Sequence, residues 1–213
     1  MDDTPRGAAA NYPLMSNQDI KNLPIKDLID LNGSILALWV PSSLLQDGLD
    51  TMKAWGFNQK QTYVWLKTKK LPLKDAAVEF LKMFKDQSSP LFSKGGTFNV
   101  SSLLDVEKSK QLINNIMSFG MGRLFRQTHE ICLIGTSSNK IYQLLANKSQ
   151  RSVSLAENLK HSAKPENLQD SLDLMFPNTQ KLELFARRHR PNWVCLGNEL
   201  CQGEDIKVSL SKL

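Results

Sequence analysis

The stretch from Ile35 to Thr68 constrains the chain more than any other, because it carries an apolar run, a helical repeat and a second apolar run in close succession. Asn32-Gly33 is a turn signal, and Ser34-Ile-Leu-Ala-Leu-Trp-Val40 behind it is continuously apolar, the pattern of a strand buried on both faces of a parallel sheet. Pro41 ends that strand. Ser42 or Ser43 can then cap a helix whose apolar positions Leu44, Leu45, Leu49, Met52 and Trp55 recur at helical spacing until Gly56 stops it. Gln61 to Thr68, with Tyr63-Val64-Trp65-Leu66 at its centre, reads as a second strand. Strand, helix and strand at this length predict a parallel crossover, and the class is α/β.

The remaining segments extend this pattern. Ser16 is an N-cap for Asn17 to Leu23, and Pro24 restarts the chain into Ile25 to Leu31. Leu73 to Phe84 and about Ser102 to Met117 carry helical spacing on either side of a polar loop from Gln87 to Gly96, so a helical insertion is expected over about residues 69–119. Ile131 to Ile134 is a short strand ended by Gly135, and Thr136 to Arg151 is a loop with a brief helix at Ile141 to Leu145. Pro165 suits the first turn of a helix bearing Leu168, Leu172, Leu174 and Met175. Lys181 to Phe185 and Trp193 to Leu196 read as further strands. With 213 residues, residues 1–213 are expected to form one domain.

Several function classes drop out on composition. No apolar run approaches the roughly 18 residues that a membrane span needs, and the acidic start Met1-Asp2-Asp3 is unlike a signal peptide. Cys132, Cys195 and Cys201 have neither paired spacing nor an even count, so they are expected as free thiols in a reducing compartment. His129, His161 and His189 are far apart, which disfavours a metal site, and Gly120-Met121-Gly122 lacks the third glycine of a nucleotide loop and reads as a turn. A net charge of +6 favours polyanionic partners.

The chemistry concentrates near the C-terminal end: Lys164-Pro165-Glu166 before a helix, then Leu182-Glu183-Leu-Phe-Ala-Arg-Arg-His-Arg190-Pro-Asn-Trp193, then Gly197-Asn198-Glu199. A strand that ends in charged residues delivers them to the carboxyl edge of a sheet, where open α/β folds bind ligands. A solvated basic turn would have the same composition. Taken with Tyr12-Pro13-x-Met15-Ser16, Leu38-Trp39-Val40, Trp55-Gly56-Phe57, Val64-Trp-Leu-Lys-Thr68 and His129-Glu-Ile-Cys-Leu-Ile-Gly135, these motifs occur in an order that resembles the adenine-N6 methyltransferase family that includes the messenger-RNA m6A writer.

The resemblance implies a Rossmann-like, S-adenosylmethionine-dependent methyltransferase fold acting on adenine in DNA or RNA, and a nuclear location. It also implies roles: Lys164 near the cofactor carboxylate or the target base, Arg187 and Asn198 at the cofactor ribose, and His189 nearby. Family catalysts carry Asp-Pro-Pro-Trp shortly before the equivalent of Tyr12. The adenine amino nitrogen is a poor nucleophile, so acceptors must hold its hydrogens and orient it toward the sulfonium methyl. Here that place reads Asp3-Thr4-Pro5-Arg6, which loses the first proline and the aromatic platform. Only Met1 and Asp2 precede it, so an N-terminally incomplete sheet is expected. The resemblance then implies a degenerate, non-catalytic subunit with a vestigial pocket at Lys164, Arg187, His189 and Asn198, no cofactor in this chain, and S-adenosylmethionine in an active homologue paired with it as a heterodimer. A ciliate-type DNA adenine methyltransferase complex is the nearer analogy, so DNA is favoured over RNA. Arg188 and Arg190 are expected to contact nucleic acid. The alternative is a chain that methylates adenine itself.

Overall fold

The computed structural model describes residues 15–70, 114–122, 124–158, 163–200 and 205–213. They fall into two compact units, one drawn from Met1–Val64, Glu130–Ser154 and Leu159–Leu213, the other from Trp65–His129 and Leu155–Asn158. Most of the expected helical insertion, residues 71–113, lies outside the described residues. Of the helix expected up to Met117, residues 114–116 are helical and Met117 instead forms a bridge with Thr68.

Six strands are present among the described residues: β1 (Ile35–Val40), β2 (Asn58–Thr68), β3 (His129–Thr136), β4 (Val153–Glu157), β5 (Leu182–Leu184) and β6 (Val194–Leu196). The first four form a sheet in the order β1-β3-β2-β4, while β5 and β6 pair separately. β1 runs antiparallel to β3, with Ile35 opposite Thr136 and Val40 opposite Ile131. The Val64 amide bonds the Ser152 carbonyl and the Asn158 amide bonds the Thr68 carbonyl, so β2 and β4 run parallel. The sheet is therefore mixed, which corrects the purely parallel setting read from the apolar run of β1. Both faces of β1 are nevertheless used. Leu36, Leu38 and Val40 belong to one core cluster, and Ala37 and Trp39 pack against another, as the period of two requires.

The first core cluster is covered by helices. α1 (Asn17–Lys21) begins at Ser16, whose hydroxyl accepts from the Asp19 amide as an N-cap should. α2 (Leu45–Ala54) follows a 3-10 turn over Ser42–Leu44, so neither serine caps it; Leu44 stands at the cap with no side-chain hydrogen bond. Gly56, at φ 85°, ends α2 where only glycine is comfortable. The adjoining Trp55 is buried and its Nε1 donates to the Ile20 carbonyl at 3.1 Å, which ties the end of α2 to α1. α2 lies so close to β1 that a Cβ at Gly48 would stand 2.6 Å from Val40 Cγ2. α4 (Ile206–Leu210) closes the cluster with Ile206 and Leu210.

α3 (Asn167–Met175) lies over the second cluster, where Leu168 and Leu172 meet Tyr63, Cys132, Ala37, Trp39 and Ile134. The Trp39 and Tyr63 rings meet edge to face at 6.1 Å. Pro165 does not occupy the first turn of α3; it precedes the cap residue Glu166. Helices on both faces of a mixed sheet make the first unit a three-layer α/β structure. β4 was not anticipated, although Val153-Ser-Leu-Ala-Glu157 alternates in exposure as a half-buried strand does.

Candidate functional site

β5 and β6 are parallel and in register, Leu182 with Val194, Glu183 with Cys195 and Leu184 with Leu196. Both strands thus release their chains at the same end. That is why Arg187 and His189, following β5, and Asn198 and Glu199, following β6, arrive side by side. The backbones come close here: the Ala186 amide donates to the Leu196 carbonyl at 2.9 Å, and a Cβ at Gly197 would sit 2.7 Å from the Ala186 nitrogen. Glycine at this position is what lets the two chain ends touch. Phe185 (φ 59°) and Asn192 (φ 64°) take left-handed conformations at either end of the intervening segment and fold it back on itself.

The cations brought here all face carboxylates. Arg187 donates to Glu199 Oε1 from Nε at 3.0 Å and from Nη2 at 2.7 Å. Arg188 Nε is 2.7 Å from Glu166 Oε1. Arg190 is the hub of the group. Its Nη1 donates to Glu166 Oε2 at 2.8 Å, and its Nη2 to Asp170 Oδ1 and Asp173 Oδ2, each at 2.7 Å. Trp193 Nε1 donates to the other Asp173 oxygen at 3.0 Å. Lys164 Nζ, just before α3, is 2.8 Å from Glu130 Oε2 at the start of β3. His189 and Asn198 are exposed.

These contacts set the protonation states. Burial alone would lift the Asp173 carboxyl, but hydrogen bonds from Arg190 and Trp193 and the charges of Arg190 and Lys181 hold it below its ordinary 3.8. Glu183 goes the other way. Half-burial raises its carboxyl above the ordinary 4.5, only partly offset by a hydrogen bond with Gln169 and the charges of Arg188 and Arg190. Burial also pushes the Cys132 thiol far up, against the lowering influence of the Lys164 charge. Cys132 and Cys195 are both free thiols, and Cys201 lies outside the described residues.

The sequence pointed to Lys164, Arg187, His189 and Asn198 as a group. The structure places Arg187 against the Asn198-Glu199 turn, and joins Lys164 to the same neighbourhood through Glu166, two residues on. Of the expected nucleic-acid ligands, Arg188 pairs with Glu166 and stays exposed, while Arg190 is held by Glu166, Asp170 and Asp173 and is largely buried. The acids that hold it were missed. Their signal was legible: Glu166, Asp170 and Asp173 recur at i, i+4 and i+7, an acidic stripe on one helix face. The degenerate motif Asp3-Thr4-Pro5-Arg6 lies outside the described residues. Among the described residues no group of acidic, histidine and cysteine side chains could hold a metal, and no helix is long and apolar enough to cross a membrane.

A three-layer α/β unit with a mixed sheet, and charged side chains gathered where two parallel strands end, is consistent with a Rossmann-like methyltransferase fold. Comparison with known proteins gives the family. The MT-A70 family model matches residues 3–87 and 82–199, and the chain belongs to that family. It is 25% identical over 191 residues to the N(6)-adenosine-methyltransferase MT-A70-like protein of Drosophila melanogaster, covering 89% of this chain and 24% of that protein. It is 24% identical to the N(6)-adenosine-methyltransferase catalytic subunit METTL3 of Homo sapiens, covering 89% of this chain and 25% of that protein. A probable N(6)-adenosine-methyltransferase MT-A70-like protein of Oryza sativa is also 24% identical, covering 89% of this chain and 20% of that protein. The chain thus spans about a quarter or less of the length of these relatives.

Proposed function

We propose that this chain is a non-catalytic, methyltransferase-like subunit. It pairs with an active family member and stabilises it within an N6-adenine methyltransferase complex acting on nucleic acid in the nucleus, with DNA favoured over RNA. The observation that carries this reading is Asp3-Thr4-Pro5-Arg6 standing where the resemblance calls for Asp-Pro-Pro-Trp. Thr4 stands for the first proline and Arg6 for the stacking ring, so by the resemblance the place that should hold and orient the adenine amine is incomplete, and Arg6 would bring positive charge toward the cofactor's sulfonium. The ion pairing of the candidate residues supports the same reading. S-adenosylmethionine needs donors for its carboxylate and polar contacts for its ribose, and Lys164, Arg187 and Asn198 are of the right kinds. Lys164 and Arg187 are, however, already paired with Glu130 and Glu199. The group fits in residue type but not in available charge, so the cofactor is assigned to the partner.

Purified chain, active homologue and their mixture should be assayed for transfer of a labelled methyl group to DNA and to RNA. The reading requires an inert chain and a mixture more active than the homologue alone. Methyl transfer by this chain alone would establish the second reading, a self-sufficient N6-adenine methyltransferase, which is favoured by the retention of Lys164, Arg187 and Asn198 in family order.

A further inference from the structure

The second unit carries a feature that the C-terminal site does not use. Thr68 bridges to Met117, the Lys69 amide donates to the Ile116 carbonyl at 2.8 Å, and the Ser118 amide donates to the Lys67 carbonyl at 2.8 Å. Gly120 and Gln127 then pair across a turn. The projecting turn carries Phe119, Met121, Leu124 and Phe125, which are 72%, 88%, 94% and 88% exposed. Large apolar side chains scattered singly need no explanation, but four within seven positions of one turn do. At the base stand exposed Lys69 and Lys70, and the exposed Arg126 lays its guanidinium 4.8 Å over the Phe119 ring. The turn is an apolar, aromatic tip on a cationic base.

We propose that the Phe119–Phe125 turn is a nucleic-acid contact: its apolar tip stacks on or wedges between unpaired bases, while Lys69, Lys70 and Arg126 meet the flanking phosphates. The inference rests on the proposed role in an adenine-methylating complex and assigns the form of polymer the complex grips. The N6 amine of adenine is a Watson–Crick donor, so a methyl donor reaches it only in a strand whose base is unpaired or extruded. Exposed rings accept any base face, apolar wedges fill the space an extruded base leaves, and lysines beside them neutralise the backbone. An apolar groove on a protein would also accept the tip. The cationic base of Lys69, Lys70 and Arg126 favours phosphate.

The test uses the full chain, a labelled adenine-containing single strand, and the duplex formed with its complement, titrated by anisotropy over a range of salt. Wild type should prefer the single strand. Leu124→Ala with Phe125→Ala should lose about 5- to 150-fold in affinity for it with the salt slope unchanged, and Phe125→Trp should retain binding. Lys69→Gln with Lys70→Gln should lower the slope by about 1.4. The tip side chains are in solvent, so melting temperatures should match wild type. Equal affinity of wild type and tip variant for both polymers would overturn the inference. So would a tip variant that still binds the strand but no longer pairs with an active family member, because the turn would then be a protein dock. Failure of every mixture to transfer a methyl group would sink the functional reading, while loss of strand binding on tip replacement would still uphold the contact.

Discussion

At the scale of single residues, two carboxylates of the C-terminal cluster titrate in opposite directions, and their effects on stability separate by pH. Asp173 has its folded value below its unfolded one, so its contribution is complete above pH 3.8 and is lost as pH falls through the folded value. Glu183 is raised, so keeping it ionised costs stability, and that loss sets in as pH climbs from 4.5 through its folded value. Melting temperatures across pH should therefore show Asp173→Asn less stable than wild type at neutral pH and converging with it in acid. Glu183→Gln should be more stable than wild type at neutral pH, with the difference vanishing near pH 4. Parallel curves for either variant would refute the assignment. Cys132 is a further residue-scale case. The thiolate is the nucleophile, and a fully buried thiol with a strongly raised value yields almost none. Cys132 should resist a disulfide reagent in the native protein and react on unfolding, as a timed thiol count in native buffer and in denaturant would show.

At the scale of elements, Arg190 joins the segment after β5 to α3, and its replacement reports on packing rather than on ligand binding. Arg190→Ala would leave Glu166, Asp170 and Asp173 facing one another without their shared cation, a cost of about 1–3 kcal/mol. Nucleic-acid binding should keep its salt slope, because a guanidinium already held by three carboxylates neutralises no phosphate and so displaces none of the polymer's condensed counterions. A slope lowered by about one would return Arg190 to the phosphate-binding role read from the sequence. The α2–β1 contact offers a second element-scale test. Gly48→Ala gains about 1 kcal/mol of helix propensity but drives a methyl into Val40, which sits on a strand and is stiff at χ1, so a net loss of about 1–2 kcal/mol is expected in a denaturant melt. A stabilised variant would mean that α2 can lift from the sheet at no cost.

At the scale of the whole molecule, the relevant quantity is what the chain does alone. With Lys164 and Arg187 neutralised by Glu130 and Glu199, calorimetry on the isolated chain should detect weak S-adenosylmethionine binding or none. Micromolar affinity would argue for a working pocket. β1 stands at the end of the described sheet with an unbroken apolar sequence and no lysine or proline to guard it, and such edges invite association. Light scattering should show self-association of the chain alone and a one-to-one complex with an active family member. A well-behaved monomer that ignores every such homologue would count against pairing.

Local order was largely legible in the sequence. Ser16 as a cap, the α2 repeat, Gly56 as its stop, and the family order of the C-terminal motifs are encoded by neighbours in the chain, where spacing alone decides which face is apolar. Strand direction was not. The six residues of β1 look the same whether they pair with a parallel strand or with β3 some ninety positions later, because periodicity records burial and not the partner. The fate of the arginines was equally hidden. Arg190 has the composition of a phosphate grip, and only the docking of α3 with its cap residue Glu166, 17 to 24 residues away, brings three carboxylates within hydrogen-bond reach of it. Charge in a sequence is a capacity, and tertiary structure decides whether a side chain or a ligand takes it up, because a hydrogen bond depends on distances that chain spacing does not set.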